Sequence, residues 1–253
     1  MQLQSLCSAI RGLTPPARLG AAHKQAQHVG LFDEVLGACT VADAFDLKLE
    51  PAGLVERYDT AGLVSDAAIG TKWNNHLFYK EHVKSLGKLM LMARRLVERG
   101  AGFVAVNSAF VWDNHSDVNN APMKEAMPWL APVLDKALSA LLDDLESRGM
   151  SEKVLVVVCG EMGRTPRVNA KGGRDHWGNL GPMLLSGGPV KAGGIMGTSA
   201  RDGGTPSSDP ITISRLLGTV FGHLWDNYIQ VTPSALKVHT LLGGGEPIVN
   251  DHV

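Results

Sequence analysis

Three short segments, 113–115, 161–164 and 175–176, hold the side chains whose types and spacing could do chemistry. They offer carboxylates, imidazoles and a guanidinium: Asp113, His115, Glu161, Arg164, Asp175 and His176. Carboxylate oxygen and imidazole nitrogen together suit zinc, manganese or calcium, and a guanidinium beside them binds phosphate or sulfate oxygens. These segments therefore predict a site for a divalent metal ion or for one anionic substrate.

Each segment also has a purely structural interpretation. Asp113 and His115 could form a turn closed by an Asx-type hydrogen bond, and Glu161 could cap a helix or pair with Arg164. Asp175 could close its loop, "GGRDHWGNLG" at 172–181, through backbone N–H groups. A functional interpretation is favoured because three such segments follow strong strand signals, where glycines permit close backbone approach.

Hydrophobic spacing predicts the elements that must position these segments. "FVAVN" at 103–107 is typical of a buried strand, residues 129–148 place a leucine-rich stripe on one helix face, and "VLVVVC" at 154–159 is typical of a strand covered on both faces. We expect the two strands to be parallel with a right-handed crossover, and Cys159 to be buried. Ligands of such sheets lie beyond the carboxyl ends of the strands, which are ~4.8 Å apart, so the polar segments should meet there.

Further elements extend this α/β pattern. A helix is predicted from Ser85 to a stop at Gly100, followed later by a strand at 182–187 and a helix at 211–224. We predict two regions: a helical N-terminal region, 1–84, packed on the core, and an α/β core, 85–253.

Composition excludes several classes of partner. The 253 residues are 44% hydrophobic, and 24 Lys and Arg balance 25 Asp and Glu, so no net charge favours nucleic acid or an anionic membrane. We find no apolar run of the ~20 residues that a membrane helix requires, and no signal peptide, which leaves the localisation unknown. Three scattered cysteines do not make a disulfide framework.

Several segments resemble, in order and spacing, a bacterial family called domain of unknown function 1501. They are "ARRLVERGAGFVAVN", "WDNHSDVNN", "LDKALSALLDDLESRGMSEKVLVVVCGEMGRTPRVN", "GRDHWGNLGPMLLSGGPVKAGGIMGTS" and "PITISRLLGTVF". The resemblance implies a remote branch of the alkaline phosphatase and sulfatase superfamily. It implies a three-layer sandwich, a mostly parallel sheet with helices on both faces. Members of that superfamily split phosphate or sulfate esters at a divalent metal site, and relatives of this chain are often exported.

The resemblance also implies site residues. Asp113 and His115 match the family's W-D-x-H, Glu161 and Arg164 its E-F-G-R, and the pair 175–176 its G-R-D-H-W. The implied metal ligands are Asp113, His115, Glu161, Asp175 and His176, and the implied catalytic residues are Arg164 and Glu161. Met162 stands where the superfamily has a ligand histidine, which implies a reduced metal site.

The amino-terminal part departs from the family pattern. The family opens with a strand and a Gly-rich loop that bears the nucleophile, whereas residues 1–40 are predicted to be helix and loop, so we expect a sandwich incomplete at its N-terminus. "CSAIR" at 7–11 matches the loose sulfatase pattern that matures cysteine to formylglycine, although a helix-borne buried cysteine explains Cys7 better. Two functions follow: a metal-dependent hydrolase of small sulfated or phosphorylated substrates, or a non-catalytic binding or structural protein that keeps the family shell.

Overall fold

The protein is described here by a computed structural model that covers residues 41–108 and 112–224. Its helices are α1 (Ala52–Tyr58), α2 (Asp66–Ile69), α3 (His76–Glu98), α4 (Met123–Ser147) and α5 (Ile213–Leu224), and one 3-10 turn spans Leu47–Leu49. Its strands are β1 (Val156–Cys159), β2 (Gly163–Arg164), β3 (His176–Trp177) and β4 (Met183–Ser186).

The core lies between the two long helices, α3 and α4. Apolar side chains at helical spacing, such as Val83 on α3 and Leu130 on α4, are fully buried against each other. Tyr79 packs edge-on against Trp129 with ring centroids 5.3 Å apart. Both helices end just before a glycine with positive φ, Gly100 and Gly149, as the sequence predicted.

Helix α1 crosses α3 at a position that only glycine permits. A Cβ at Gly87 would overlap the carbonyl of Tyr58, the last residue of α1. The hydroxyl of Thr60 donates to the Val83 carbonyl at 2.7 Å and so secures the same crossing. Helix α1 is therefore joined closely to the core.

Three arginines and three carboxylates form a partly buried network, called here the arginine–carboxylate cluster: Arg94, Arg95, Arg148, Glu50, Glu98 and Asp144. Arg94 has a fully buried side chain, and its nitrogens lie 2.9 Å from Glu50, 2.6 Å from Glu98 and 2.9 Å from Asp144. The cluster joins the segment before α1 to the ends of α3 and α4, so opposite charges are paired where they leave water.

The strands form two small antiparallel sheets. β1 pairs with β4 in the register Val156↔Ser186 to Cys159↔Met183, and β2 pairs with β3 in the register Gly163↔Trp177 and Arg164↔His176. Within residues 41–108 and 112–224 no strands pair in parallel. The mostly parallel three-layer sandwich therefore stays a prediction.

Some sequence predictions were wrong. Residues 103–107 are not a strand, and Phe103 is 71% exposed. β-branched residues favour a strand only where a neighbouring strand completes the hydrogen-bond ladder. β1 is half-buried instead of covered on both faces, which leaves Cys159 at its end exposed. Helix α3 runs through residues 84 and 85, and the division into a helical N-terminal region and an α/β core stays a prediction.

Among the described segments, no helix is long and apolar enough to cross a membrane. The segment "CSAIR" and the helix-and-loop prediction for residues 1–40 lie outside the described residues.

Candidate metal centre

Three ligand atoms from two distant segments of the chain meet at one point. The Nε2 atoms of His115 and His176 are 3.0 Å apart, and Asp113 Oδ1 is 3.2 Å from His176 Nε2 and 3.8 Å from His115 Nε2. These three residues are the described group whose ligand atoms all lie within 4.8 Å of one another. The structure therefore brings together segments 113–115 and 175–176, which the sequence analysis expected to meet.

The spacing of these atoms fits a divalent cation. Ligand bonds of ~2.0–2.1 Å in tetrahedral geometry place neighbouring ligand atoms roughly 3.3–3.4 Å apart. The three separations, 3.0, 3.2 and 3.8 Å, bracket that value. Two imidazoles and one carboxylate are also a ligand set that zinc and manganese accept.

Exposure increases across the cluster from Asp113 to His176. The side chain of Asp113 is 7% exposed, that of His115 is 23% exposed, and that of His176 is 47% exposed. The carboxylate therefore forms the floor of the centre, and a ligand from solvent would reach it past His176.

The β2–β3 hairpin presents Arg164 and His176 as directly opposed residues. Cross-strand partners point to the same face of a sheet, so both side chains reach Asp113. Arg164 Nη2 forms a short ion pair with Asp113 Oδ1. The segment after β3 packs directly against β2 because Gly163 has no side chain: a Cβ there would overlap the carbonyl of Leu180.

The loop between β2 and β3 holds the segment that carries Asp113 and His115 in place. Arg174 N–H donates to the Asn114 carbonyl at 2.8 Å, and the Asn169 amide donates to the His115 carbonyl at 3.0 Å. Gly173 lies directly against this segment, since its Cβ would overlap the His115 carbonyl. Ser116 has a φ of 62°, an uncommon conformation for a non-glycine residue, and its hydroxyl donates to the Lys171 carbonyl at 2.7 Å.

Asn169 is the site residue that sequence reasoning missed. Besides its bond to His115, its amide Oδ1 accepts from the N–H groups of Lys171 and Gly173 at 3.0 and 2.9 Å. One side chain thus shapes its own loop and attaches that loop to the metal-binding segment. The only signal in the sequence was an asparagine before a glycine pair, which is typical of any tight turn.

The remaining predicted site residues lie elsewhere. Asp175 is on the far side of the His115 ring, with Oδ1 3.2 Å from Nδ1. Glu161 is exposed, two residues past β1, and is not part of the described ligand group. The neighbouring Arg174, which is not one of these predicted residues, donates to the carbonyls of Thr165 and Pro166 at 2.7 and 2.9 Å and so holds the loop. A shallow cleft of about 500 Å³ opens beside His115 and Asp175.

Comparison with known proteins places the chain in a family. No curated protein and no solved structure matches it. The model of one family, described as "Protein of unknown function (DUF1501)", matches residues 20–248. That range contains the converging segments and the hairpin that carries Arg164 and His176. The chain therefore belongs to the DUF1501 family.

Proposed function

We propose that this chain is a metal-dependent hydrolase of phosphate or sulfate esters. The observation that carries the proposal is the convergence of Asp113 Oδ1 with the Nε2 atoms of His115 and His176. Three protein ligands with one side open to solvent are typical of catalytic metal sites, whereas structural sites are closed by four. The bound cation would polarise the ester and generate a nucleophile from water at neutral pH.

The charges around the centre support an anionic substrate. Asp113 and Asp175 carry negative charge and Arg164 carries positive charge, while imidazoles that bind a metal are neutral. These five protein groups together with a divalent cation therefore have a net charge of +1. An anionic ester would be attracted to that charge, and water would be excluded from its contact with the buried floor.

Arg164 is placed to hold the anionic group. Its Nη2 pairs with Asp113, and its Nη1 is buried without a hydrogen-bond partner among the residues described. A guanidinium that is anchored at one nitrogen and unsatisfied at another favours a further oxygen acceptor. Asp113 can serve both Arg164 and a cation, because an ionised carboxylate has about four acceptor positions.

A non-catalytic binding protein is the second candidate. The Asp113–Arg164 ion pair favours it, because the buried carboxylate is already compensated without any ligand. Such a protein would bind a cation or an anion at the same residues and would release it unchanged. Glu161 lies outside the described ligand group, and its predicted role as a metal ligand or catalytic residue stays a prediction that Glu161→Gln tests.

The test measures cation binding and turnover on the same protein. The full chain is purified without a histidine tag, freed of metal by chelation, and titrated with Zn²⁺, Mn²⁺ or Ca²⁺ by calorimetry. We expect one cation per chain, and chelator-sensitive hydrolysis of an aryl phosphate or an aryl sulfate. His176→Ala should weaken cation binding at least about 10-fold, because it removes one of three ligands.

His223→Ala is the matched control. His223 Nε2–H donates to the Lys153 carbonyl, 3.0 Å away, near the amino end of β1 and away from the ligand group. This variant should bind the cation as the unchanged chain does. Cation binding without turnover of either ester would support the binding protein instead, and the lack of a stoichiometric cation would refute both metal-based functions.

A further inference from the structure

The contact between Asp175 and His115 determines the position of one proton. A carboxylate only accepts hydrogen bonds, so the 3.2 Å contact between Asp175 Oδ1 and His115 Nδ1 requires a proton on Nδ1. A neutral imidazole carries one N–H, which leaves the lone pair on Nε2. That lone pair faces His176 and Asp113, where the proposed cation would bind.

Asp175 is too far from the ligand atoms to bind the same cation directly. It lies at Nδ1, on the opposite side of the ring from the Nε2 atom that joins the cluster. Metal–carboxylate bonds measure ~2.0–2.2 Å, which the intervening imidazole prevents. The described ligand group accordingly contains Asp113, His115 and His176 without Asp175.

The position of Asp175 is fixed by its neighbours. Its backbone N–H donates to the Thr165 hydroxyl at 3.1 Å, and its carbonyl accepts from the Thr165 N–H at 2.9 Å. The Asn169 amide lies 3.4 Å from Asp175 Oδ1 and 3.0 Å from the His115 carbonyl. One asparagine thus touches both members of the pair and sets their separation.

We infer that Asp175 is a positioning residue: it holds His115 in the Nδ1–H form and directs the Nε2 lone pair to the cation site. Metal-bound histidines generally donate their second N–H to a carboxylate or carbonyl, and losing that partner lowers metal affinity about 10- to 100-fold. The functional meaning of this inference rests on the proposed metal site. The proton position itself can be tested without any metal.

The first experiment records long-range ¹H–¹⁵N correlation spectra of the metal-free full chain labelled with ¹⁵N-histidine. At a pH where the imidazoles are neutral, we expect the unchanged chain to carry the His115 proton on Nδ1. Asp175→Ala should move a large part of the His115 population to the Nε2–H form. Asp135→Ala, which removes an exposed carboxylate on α4, should leave the His115 signals unchanged. An unshifted His115 signal in Asp175→Ala would overturn the inference.

The second experiment separates a positioning residue from a ligand. Co²⁺ is bound as a visible probe to the unchanged chain, to Asp175→Ala and to His176→Ala. We expect Asp175→Ala to bind about 10- to 100-fold more weakly with the same coordination spectrum, and His176→Ala to change the spectrum. A changed coordination spectrum in Asp175→Ala would make Asp175 a ligand and overturn its assignment. If the unchanged chain binds no metal, the proposed function fails, while the NMR experiment still decides the proton position.

Discussion

Replacing Gly173 by alanine should disturb the metal centre without changing any metal ligand. Gly173 lies between the loop 169–175 and the segment that carries His115, and an added Cβ would overlap the His115 carbonyl. Gly173 does not have a positive φ, so alanine causes no backbone strain of its own. The whole effect must therefore come from the steric contact.

The contact of the added Cβ with a second carbonyl, that of Asn114, gives the smallest separation of the two segments that the substitution requires. The added Cβ would lie 2.6 Å from the Asn114 carbonyl oxygen, about 0.8 Å inside the 3.4 Å at which ordinary contact begins. Both opposing carbonyls are backbone, and the added Cβ would lie closer still to that of His115, so the two segments must separate by at least that distance. Metal–ligand distances tolerate only about ±0.2 Å, so we expect cation affinity to fall about 10- to 100-fold.

Stability provides a second measurement that does not depend on metal. Overpacking of this kind costs about 1–3 kcal/mol, which a domain stable by roughly 5–15 kcal/mol survives. We therefore expect a lower urea midpoint for metal-free Gly173→Ala with unchanged far-UV circular dichroism. Cation affinity is then measured by competition with a fluorescent chelator under conditions in which the variant is fully folded.

Gly178→Ala is the matched control from the same glycine-rich stretch. A Cβ at Gly178 meets no heavy atom within 4 Å, and the residue lacks a positive φ. Its unfolding free energy should change by no more than about 0.5 kcal/mol, and its cation affinity should not change. If Gly173→Ala matched Gly178→Ala in both measurements, the close approach of the two segments would not be what holds His115 in place.

Two further predictions concern the helical half of the chain. Arg94→Ala removes one fully buried counter-charge of Glu50 and Asp144, which keep their contacts with Arg95 and Arg148, and should lower the unfolding free energy by about 3 kcal/mol in urea denaturation. Arg57→Ala, which removes an exposed pair with Asp143, should cost at most about 1 kcal/mol. Burial lowers the pKa of His82 below its ordinary value of 6.5, so as the pH falls the imidazole is protonated in the unfolded chain before it is protonated in the folded chain. Stability should therefore fall as the pH decreases below about 6.5. His82→Phe should reduce that loss in urea midpoints measured between pH 8 and pH 5, and an identical pH dependence in both proteins would contradict the assignment.

Much of the helical structure could be predicted from local sequence. The stop signals at Gly100 and Gly149 were confirmed, and so were the strands near 154–159 and 182–187. Helix α4 begins at Met123, six residues before its predicted start at 129. Pro128 and Pro132 interrupt the helical sequence pattern, but the surrounding packing keeps this segment helical. Element type was therefore more predictable than element bounds.

The absence of a strand at 103–107 could not be predicted in the same way. A run of β-branched residues records a local preference, but a strand exists only where another strand supplies hydrogen-bond partners. β1 pairs with β4 in the described structure, and residues 103–107 lie without a ladder. The expected parallel arrangement at the carboxyl edge of a sheet consequently does not explain how the site residues meet.

The sequence by itself determined which residues could do chemistry: the clusters around Asp113, Glu161 and His176 are visible as residue types and spacings. Only the tertiary structure decided their roles. It brought Asp113, His115 and His176 to one point through a hairpin with two residues in each strand and a loop attached by Asn169. It left Glu161 outside the ligand group and placed Asp175 on the far side of the His115 imidazole. The physical reason is that ligand geometry depends on distances of a few ångströms between segments about 50 to 60 residues apart, which no local pattern of side chains encodes.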